Sequence, residues 1–144
     1  FGVPVPGVDI LDGSGPSKGT RVPAATVADL MRRARRREGV LGLLDDRLTR
    51  SGPNGTMSKH RFVGENAVVG DAVRAKTGYI GTVHSLAGIV RTVGGAELVF
   101  AIFAMGEDME GDDPARHAVD DFVTCLHLRG DSLLERQAPI RLDD

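Results

Sequence analysis

An α+β fold, an antiparallel sheet flanked by helices, is what the amino-acid order predicts. Three observations carry that expectation. Apolar residues recur at helical spacing from Pro23 and again from Asp113, and three strand-like runs follow one another between these stretches. The last two runs are separated by Val93-Gly94-Gly95-Ala96, the two-glycine signature of a tight hairpin, and strands joined that way pair antiparallel.

At the start, Pro4, Pro6 and Gly7 oppose a regular element, and the short apolar run Val8-Asp9-Ile10-Leu11 ends in Asp12-Gly13-Ser14-Gly15-Pro16, a turn. Gly13-Ser14-Gly15 does not make Ser14 a nucleophile-elbow serine, because Asp12 and Pro16 stand where that motif needs glycines. A tight turn in which Asp12 and Ser14 bond to the local backbone is expected instead. From Pro23, Val27, Leu30, Met31 and Ala34 keep helical spacing, with Gly39 as the expected end and a shorter helical piece over 40–48. Ser51-Gly52-Pro53-Asn54-Gly55-Thr56 reads as a loop. Its Asn54-Gly55-Thr56 also matches the glycosylation acceptor pattern, which an Asn-Gly turn explains without further assumption.

The run from Ala67 to Ile80 alternates like a strand, with Val73, Ala75 and Thr77 on one face and Arg74 and Lys76 on the other. Lys76 and Thr77 therefore point to opposite sides unless the strand end is twisted or bulged. A second strand spans 85–92. The third, Glu97 to Met105, is apolar on both faces, as a central strand covered on both sides would be. An acidic loop over 106–113 lacks the ligand spacing of a calcium loop. Asp113-Pro114 then opens a helix that buries Ala115, Ala118, Val119, Phe122, Val123 and Leu126 and ends near Gly130, with Cys125 as a small buried side chain.

The bulk numbers fit one domain of 144 residues, 41% apolar, with 4% aromatics and no Trp. Net charge is −2 but unevenly laid out: residues 18–61 carry eleven Lys/Arg against four Asp/Glu, and residues 97–144 four against twelve. The cluster Arg32, Arg33, Arg35, Arg36 and Arg37 reads as a solvated helix face; no aromatics interleave with it for base stacking, so no nucleic-acid partner is expected. A single cysteine excludes an internal disulfide. His60, His84, His117 and His127 show no ligand spacing, and neither metal nor cofactor is expected. No apolar run approaches the length of a membrane span. Beginning at Phe1 rather than Met, the sequence is expected to be a mature or excised segment.

The chemistry concentrates in Arg74-Ala75-Lys76-Thr77-Gly78-Tyr79-Ile80-Gly81. A lysine supplies a positive charge, a threonine a hydroxyl donor and a glycine room for close approach, together a means of gripping a carboxylate. His84, shortly after, is a candidate pocket residue against the alternative of a loop histidine.

Three stretches in order carry a resemblance: Asp12-Gly13-Ser14-Gly15, then Gly55-Thr56-Met57 with Arg61 following, then 75–81 with Ser85-Leu86-Ala87-Gly88 just after. Over roughly residues 8–125 the chain resembles the C-terminal part of the class C low-molecular-mass penicillin-binding proteins, serine D-alanyl-D-alanine carboxypeptidases and endopeptidases of the bacterial cell wall. The resemblance implies a five-stranded antiparallel sheet of which residues 1–144 hold the last three strands and closing helix. It implies that Lys76 supports proton transfer and the site's electrostatics, that Thr77 bonds the terminal carboxylate of a D-Ala-D-Ala peptide or β-lactam, that Gly78 permits close approach, and that the Tyr79 backbone N–H is one of two oxyanion-hole donors. It also implies an extracytoplasmic location in the cell envelope.

The family's nucleophile motif Ser-x-x-Lys and its Ser-x-Asn motif are both absent from these residues. The chain is therefore expected to be inactive alone, with the upstream segment of the same protein, or another copy meeting an exposed strand edge, as partner. Pro16 and Thr20 depart from the family's usual leucine and asparagine, and Leu44-Asp45-Asp46-Arg47-Leu48 replaces an apolar segment. The alternatives are a non-catalytic envelope module that keeps the sheet, and an unrelated α+β interaction domain in which Lys76-Thr77-Gly78 is merely a strand terminus.

Overall fold

The computed structural model describes residues 5–52, 57, 60–106 and 113–137. The glycosylation pattern at Asn54, the Gly55-Thr56 pair and most of the acidic loop lie outside them.

Helix α1 (Ala24–Arg35) leads through a 3₁₀ turn (Gly39–Leu41) into the short helix α2 (Gly42–Arg47). Strand β1 (Thr49–Arg50) follows, then a second 3₁₀ stretch (Gly64–Val69), strands β2 (Val73–Ile80), β3 (Val83–Arg91) and β4 (Glu97–Met105), and helix α3 (Asp113–Gln137). The sheet order is β1-β2-β3-β4, antiparallel throughout. The α+β expectation holds, with one added strand. β1 is two residues long, and no alternation exists over two residues to announce it.

The sheet separates two apolar layers. On one face Val73, Ala75, Leu86, Val90 and Phe100 pack with Val119 and Val123 of α3 and with Met57, Phe62 and Val69. On the other, Ile89, Ala87 and Val99 meet Met31 of α1 with Leu44 and Leu48. This division is the period-two alternation of the strands, and it explains why β4 is apolar on both faces. β4 is nevertheless the last strand of the sheet rather than a central one.

Several expectations are corrected. The first long strand begins at Val73 rather than Ala67, because Gly64–Val69 form the 3₁₀ stretch and Gly70, at φ 50, turns the chain before the strand. The first helix ends at Arg35 rather than Gly39: Arg37 takes the left-handed region (φ 58) and is held there by Asp46, whose carboxylate lies 2.7 and 2.9 Å from its guanidinium nitrogens. The last helix runs on past Gly130 to Gln137, because Gly130 is needed for close packing; a Cβ there would lie 2.5 Å from Leu98 Cδ1. Cys125 is exposed, on the outer side of that helix, and so are Ala118 and Phe122 (55%), which leaves Ala115, Val119 and Val123 as its buried apolar residues.

The arginine cluster is largely engaged with nearby carboxylates. Asp29 accepts from Arg32 and Arg33, and its carboxyl is held below the usual range chiefly by the Arg32 hydrogen bond. Arg35 reaches Glu97 (2.6 Å) and Asp45 (3.6 Å), while Arg74 of β2 reaches the same two carboxylates at 3.5 and 3.2 Å. Asp45 is buried, so this network ties α1, α2, β2 and β4 together.

Candidate active-site edge

Strand β2 has two unlike halves. Val73 and Ala75 direct their carbonyls at the β1 side: Ser51 N donates to Val73 O (2.9 Å) and Thr49 Oγ1 to Ala75 O (2.7 Å). β1 pairs only as far as Ala75, so the next residues with the same backbone orientation, Thr77 and Tyr79, present their N–H and C=O groups to an edge unpaired among the described strands. This is where the Lys-Thr-Gly run lies.

The pairing of β2 with β3 is unbroken from Val73↔Val90 to Ile80↔Val83, without a bulge. Lys76 and Thr77 therefore point to opposite faces. Lys76 is exposed and bends back around the edge, its Nζ donating to Thr77 O at 2.5 Å. Among the described residues it forms no ion pair. Two chemically different donors, an ammonium and a hydroxyl, thus flank one open backbone stretch, an arrangement suited to a carboxylate lying along it.

Gly78 has a reason that the sequence did not disclose. A Cβ there would stand 2.3 Å from Ser85 Oγ, its cross-strand partner, so the missing side chain makes room for the serine hydroxyl. Tyr79 is 58% exposed, and its ring rests on His84 with centroids 4.6 Å apart at 42°. His84 is a buried strand residue rather than a loop histidine.

A second cation was missed. The loop over 9–21 is closed at its base by the Asp9↔Arg21 bridge and organised by Asp12, whose carboxylate accepts from the backbone N–H groups of Gly15, Ser14 (2.8 Å) and Ser17 (2.8 Å). These bonds, that from Gly15 foremost, hold the Asp12 carboxyl below its ordinary value. Ser14 donates to the same carboxylate at 3.2 Å, as a turn residue would. The loop brings Lys18 to the β2–β3 turn, where a Cβ added at Gly81 would lie 3.6 Å from Lys18 Nζ. Nothing local links positions 18 and 81, so only the folded chain reveals the pair.

The segment after Met57 is fastened to α3. Arg61, 8% exposed, meets Asp120, 1% exposed, with Nε 2.7 Å from Oδ1, and the other carboxylate oxygen accepts Phe62 N at 3.0 Å. Arg116 donates to His60 O (2.5 Å) and Asn66 to Asp121 (2.6 Å). Phe62 is held at φ 53, a conformation that costs a non-glycine residue energy and persists because these ties impose it. Among the described residues no group of three or more His, Cys, Asp or Glu could hold a metal ion. No described helix is long and apolar enough to cross a membrane.

The fold is shared with solved structures of a penicillin-binding protein and an endopeptidase. Penicillin-binding protein 4 of Haemophilus influenzae in complex with a novel β-lactam superposes with a TM-score of 0.68 at 23% identity, covering 92% of this chain and 30% of that one. The same protein in a second structure gives 0.67 at 23% identity, with 92% and 28% covered. A predatory endopeptidase from Bdellovibrio bacteriovorus, in complex with an immunity protein, gives 0.65 at 22% identity, with 84% and 32% covered. This chain thus spans about a third or less of the length of these proteins, and identities this low speak for the fold alone. No curated protein sequence matches it. The family model of the D-Ala-D-Ala carboxypeptidase 3 (S13) family matches residues 1–126, most of the chain, and the protein belongs to that family.

Proposed function

We propose that this chain forms the substrate-carboxylate and oxyanion side of a serine-type D-alanyl-D-alanine carboxypeptidase or endopeptidase that acts on peptidoglycan stem peptides in the cell envelope, and that β-lactams occupy the same edge. The observation that carries this reading is the open half of β2, where Lys76 Nζ lies against Thr77 O and the Tyr79 N–H faces outward. An extended peptide laid along that edge finds backbone partners, the Thr77 hydroxyl and Lys76 ammonium for its terminal carboxylate, and a donor for its scissile carbonyl. Lys18 adds positive charge where the peptide's preceding residues would pass.

In the reaction a serine oxygen bonds to the carbonyl carbon of the penultimate D-alanine, the C–N bond to the terminal D-alanine breaks, and the leaving amine takes a proton. Water then hydrolyses the ester, restoring the serine and releasing the shortened peptide. Lys76 lowers the energy of the negative charge that develops and supports proton movement; the Tyr79 N–H receives the oxyanion. The 144 residues contain neither Ser-x-x-Lys nor Ser-x-Asn, so the nucleophile and its base come from the upstream segment, and the chain alone is inactive. The outer edge of β4, the last strand of the sheet, is where strands of that segment pair, or failing them a second copy.

The test is a labelled penicillin incubated with the natural-length protein and its Lys76→Ala variant, followed by peptide mapping. Label on a serine upstream of Phe1, acquired about 100-fold more slowly in the variant, is the expected result. An unlabelled wild-type protein, or a variant labelled at the wild-type rate, sinks the proposal.

A further inference from the structure

The open stretch of β2 begins where another strand stops. β1 pairs Thr49↔Ala75 and Arg50↔Arg74, so it fills the line beside β2 as far as Ala75, and a peptide on the open edge occupies the continuation of that line. Both run opposite to β2. With its terminal carboxylate at Lys76 and Thr77 and its earlier residues toward Gly81, the peptide directs its C-terminal end at the start of β1. Whatever hangs beyond the scissile bond therefore meets the residues that flank β1.

Those residues are cationic. Arg47 ends α2, just before Leu48 turns extended to enter β1, and Leu48 itself is buried against Met31 and Ile89. Arg50, opposite Arg74, shares its face of the sheet and hence that of Lys76. Lys76 is its diagonal neighbour on the adjoining strand, about 7–8 Å away along the backbone, within reach of long side chains. Both arginines are exposed, and among the described residues neither forms an ion pair. The carboxylates around them are already engaged: Asp45 and Glu97 by Arg35 and Arg74, Asp71 by Arg91, and Asp46 by Arg37, whose hydrogen bond outweighs the influence of Arg47. The end of the peptide's line thus carries two positive charges besides Lys76.

We propose that Arg47 and Arg50 form a leaving-group subsite for an anionic group, so that this protein favours peptides whose departing amine carries a second carboxylate. D-Alanine, which carries one, leaves that subsite unfilled. The proposal rests on the reading of the β2 edge as the substrate's seat.

The test measures hydrolysis by the natural-length protein of three peptides identical up to the scissile bond and ending in D-Ala-D-Ala, D-Ala-D-Glu and D-Ala-D-Gln. The last two match in size and differ by one charge. In wild type, kcat/KM for the D-Glu peptide should exceed that for the D-Gln peptide about fivefold at low salt, and the preference should shrink toward unity at about 1 M salt. Arg47→Gln combined with Arg50→Gln should abolish the preference without lowering Tm, whereas Arg47→Lys combined with Arg50→Lys, which keeps both charges, should retain most of it. A wild type that hydrolyses all three peptides but treats D-Glu and D-Gln alike overturns the assignment and leaves the acyl-transfer reading standing. So does a preference that survives the glutamine pair, or one that a folded lysine pair loses, since charge is then not what selects. A wild type that hydrolyses none of the three removes the acyl-transfer reading, and this subsite with it.

Discussion

Arg74 and Lys76 lie two residues apart on one face of β2, in opposite surroundings. Arg74 is in the half of the strand paired on both sides, and its guanidinium is neutralised by buried Asp45 and by Glu97. Lys76 is in the half with one open edge, and among the described residues its ammonium meets a backbone carbonyl and no carboxylate. A charge committed to a network has little to offer a ligand; one whose counter-ion has yet to arrive has much. The strand thus divides within eight residues into a half paired on both sides and a half with one edge open among the described strands.

The strongest way to break this comparison is to disturb the half paired on both sides. Gly88 lies across from Ala75, and a Cβ there would sit 2.1 Å from Arg74 O and 2.6 Å from Ala75 Cα, main-chain atoms that cannot yield. Gly88→Ala should cost about 3 kcal/mol or more, read as a fall in the urea midpoint. Lys76→Ala should leave that midpoint in place while slowing acylation. Equal effects of the two changes on stability would erase the distinction between the halves.

Gly78 sharpens it at intermediate cost. Once Ser85 Oγ is gone, the nearest atom a Cβ would meet is Ser85 Cβ at 3.7 Å. Gly78→Ala should cost about 1–2 kcal/mol, and adding Ser85→Ala should recover most of it, a coupling measurable by a double-mutant cycle in urea. Acylation should stay slow in the double variant if a ligand also needs the space above Gly78. Full recovery of both would make that glycine a packing residue and nothing more.

The smallest effect concerns the far end of the sheet. Asp131 of α3 accepts Thr92 Oγ1 (2.6 Å) and Gly94 N (2.9 Å) at the β3–β4 turn, and these bonds, the hydroxyl's foremost, hold its carboxyl below the ordinary value. A carboxyl lower in the folded than in the unfolded state stabilises above its unfolded value, near about 3.9, and loses that contribution as pH falls through the folded value. The Tm of wild type should therefore exceed that of Asp131→Asn at neutral pH, with the gap closing below about pH 4. A gap independent of pH would mean that the carboxylate's charge plays no part in the anchor.

Much of the molecule was legible without coordinates, because helices, long strands and tight turns are written in local periodicity. The three long strands, the two-glycine turn and the apolar face of α1 follow from spacing within a few residues, whereas the expected face of α3 holds at Ala115, Val119 and Val123 and fails at Ala118 and Phe122. The Lys76-Thr77-Gly78 run was legible too, as residue types in order. Its strand pairing and its open edge were not, since an edge exists only relative to neighbours that β1 fails to supply.

Alternation by itself determined that Lys76 and Thr77 point to opposite faces of their strand. Tertiary structure alone decided that Lys76 folds back over the edge, that Gly78 yields its space to Ser85, that Lys18 arrives beside Gly81, and that Arg61 finds Asp120. The physical reason is range. Steric preference and hydrophobic period act between residues a turn or less apart and leave a trace in sequence, whereas a contact closed over 59 positions depends on where the whole sheet and its helices come to rest.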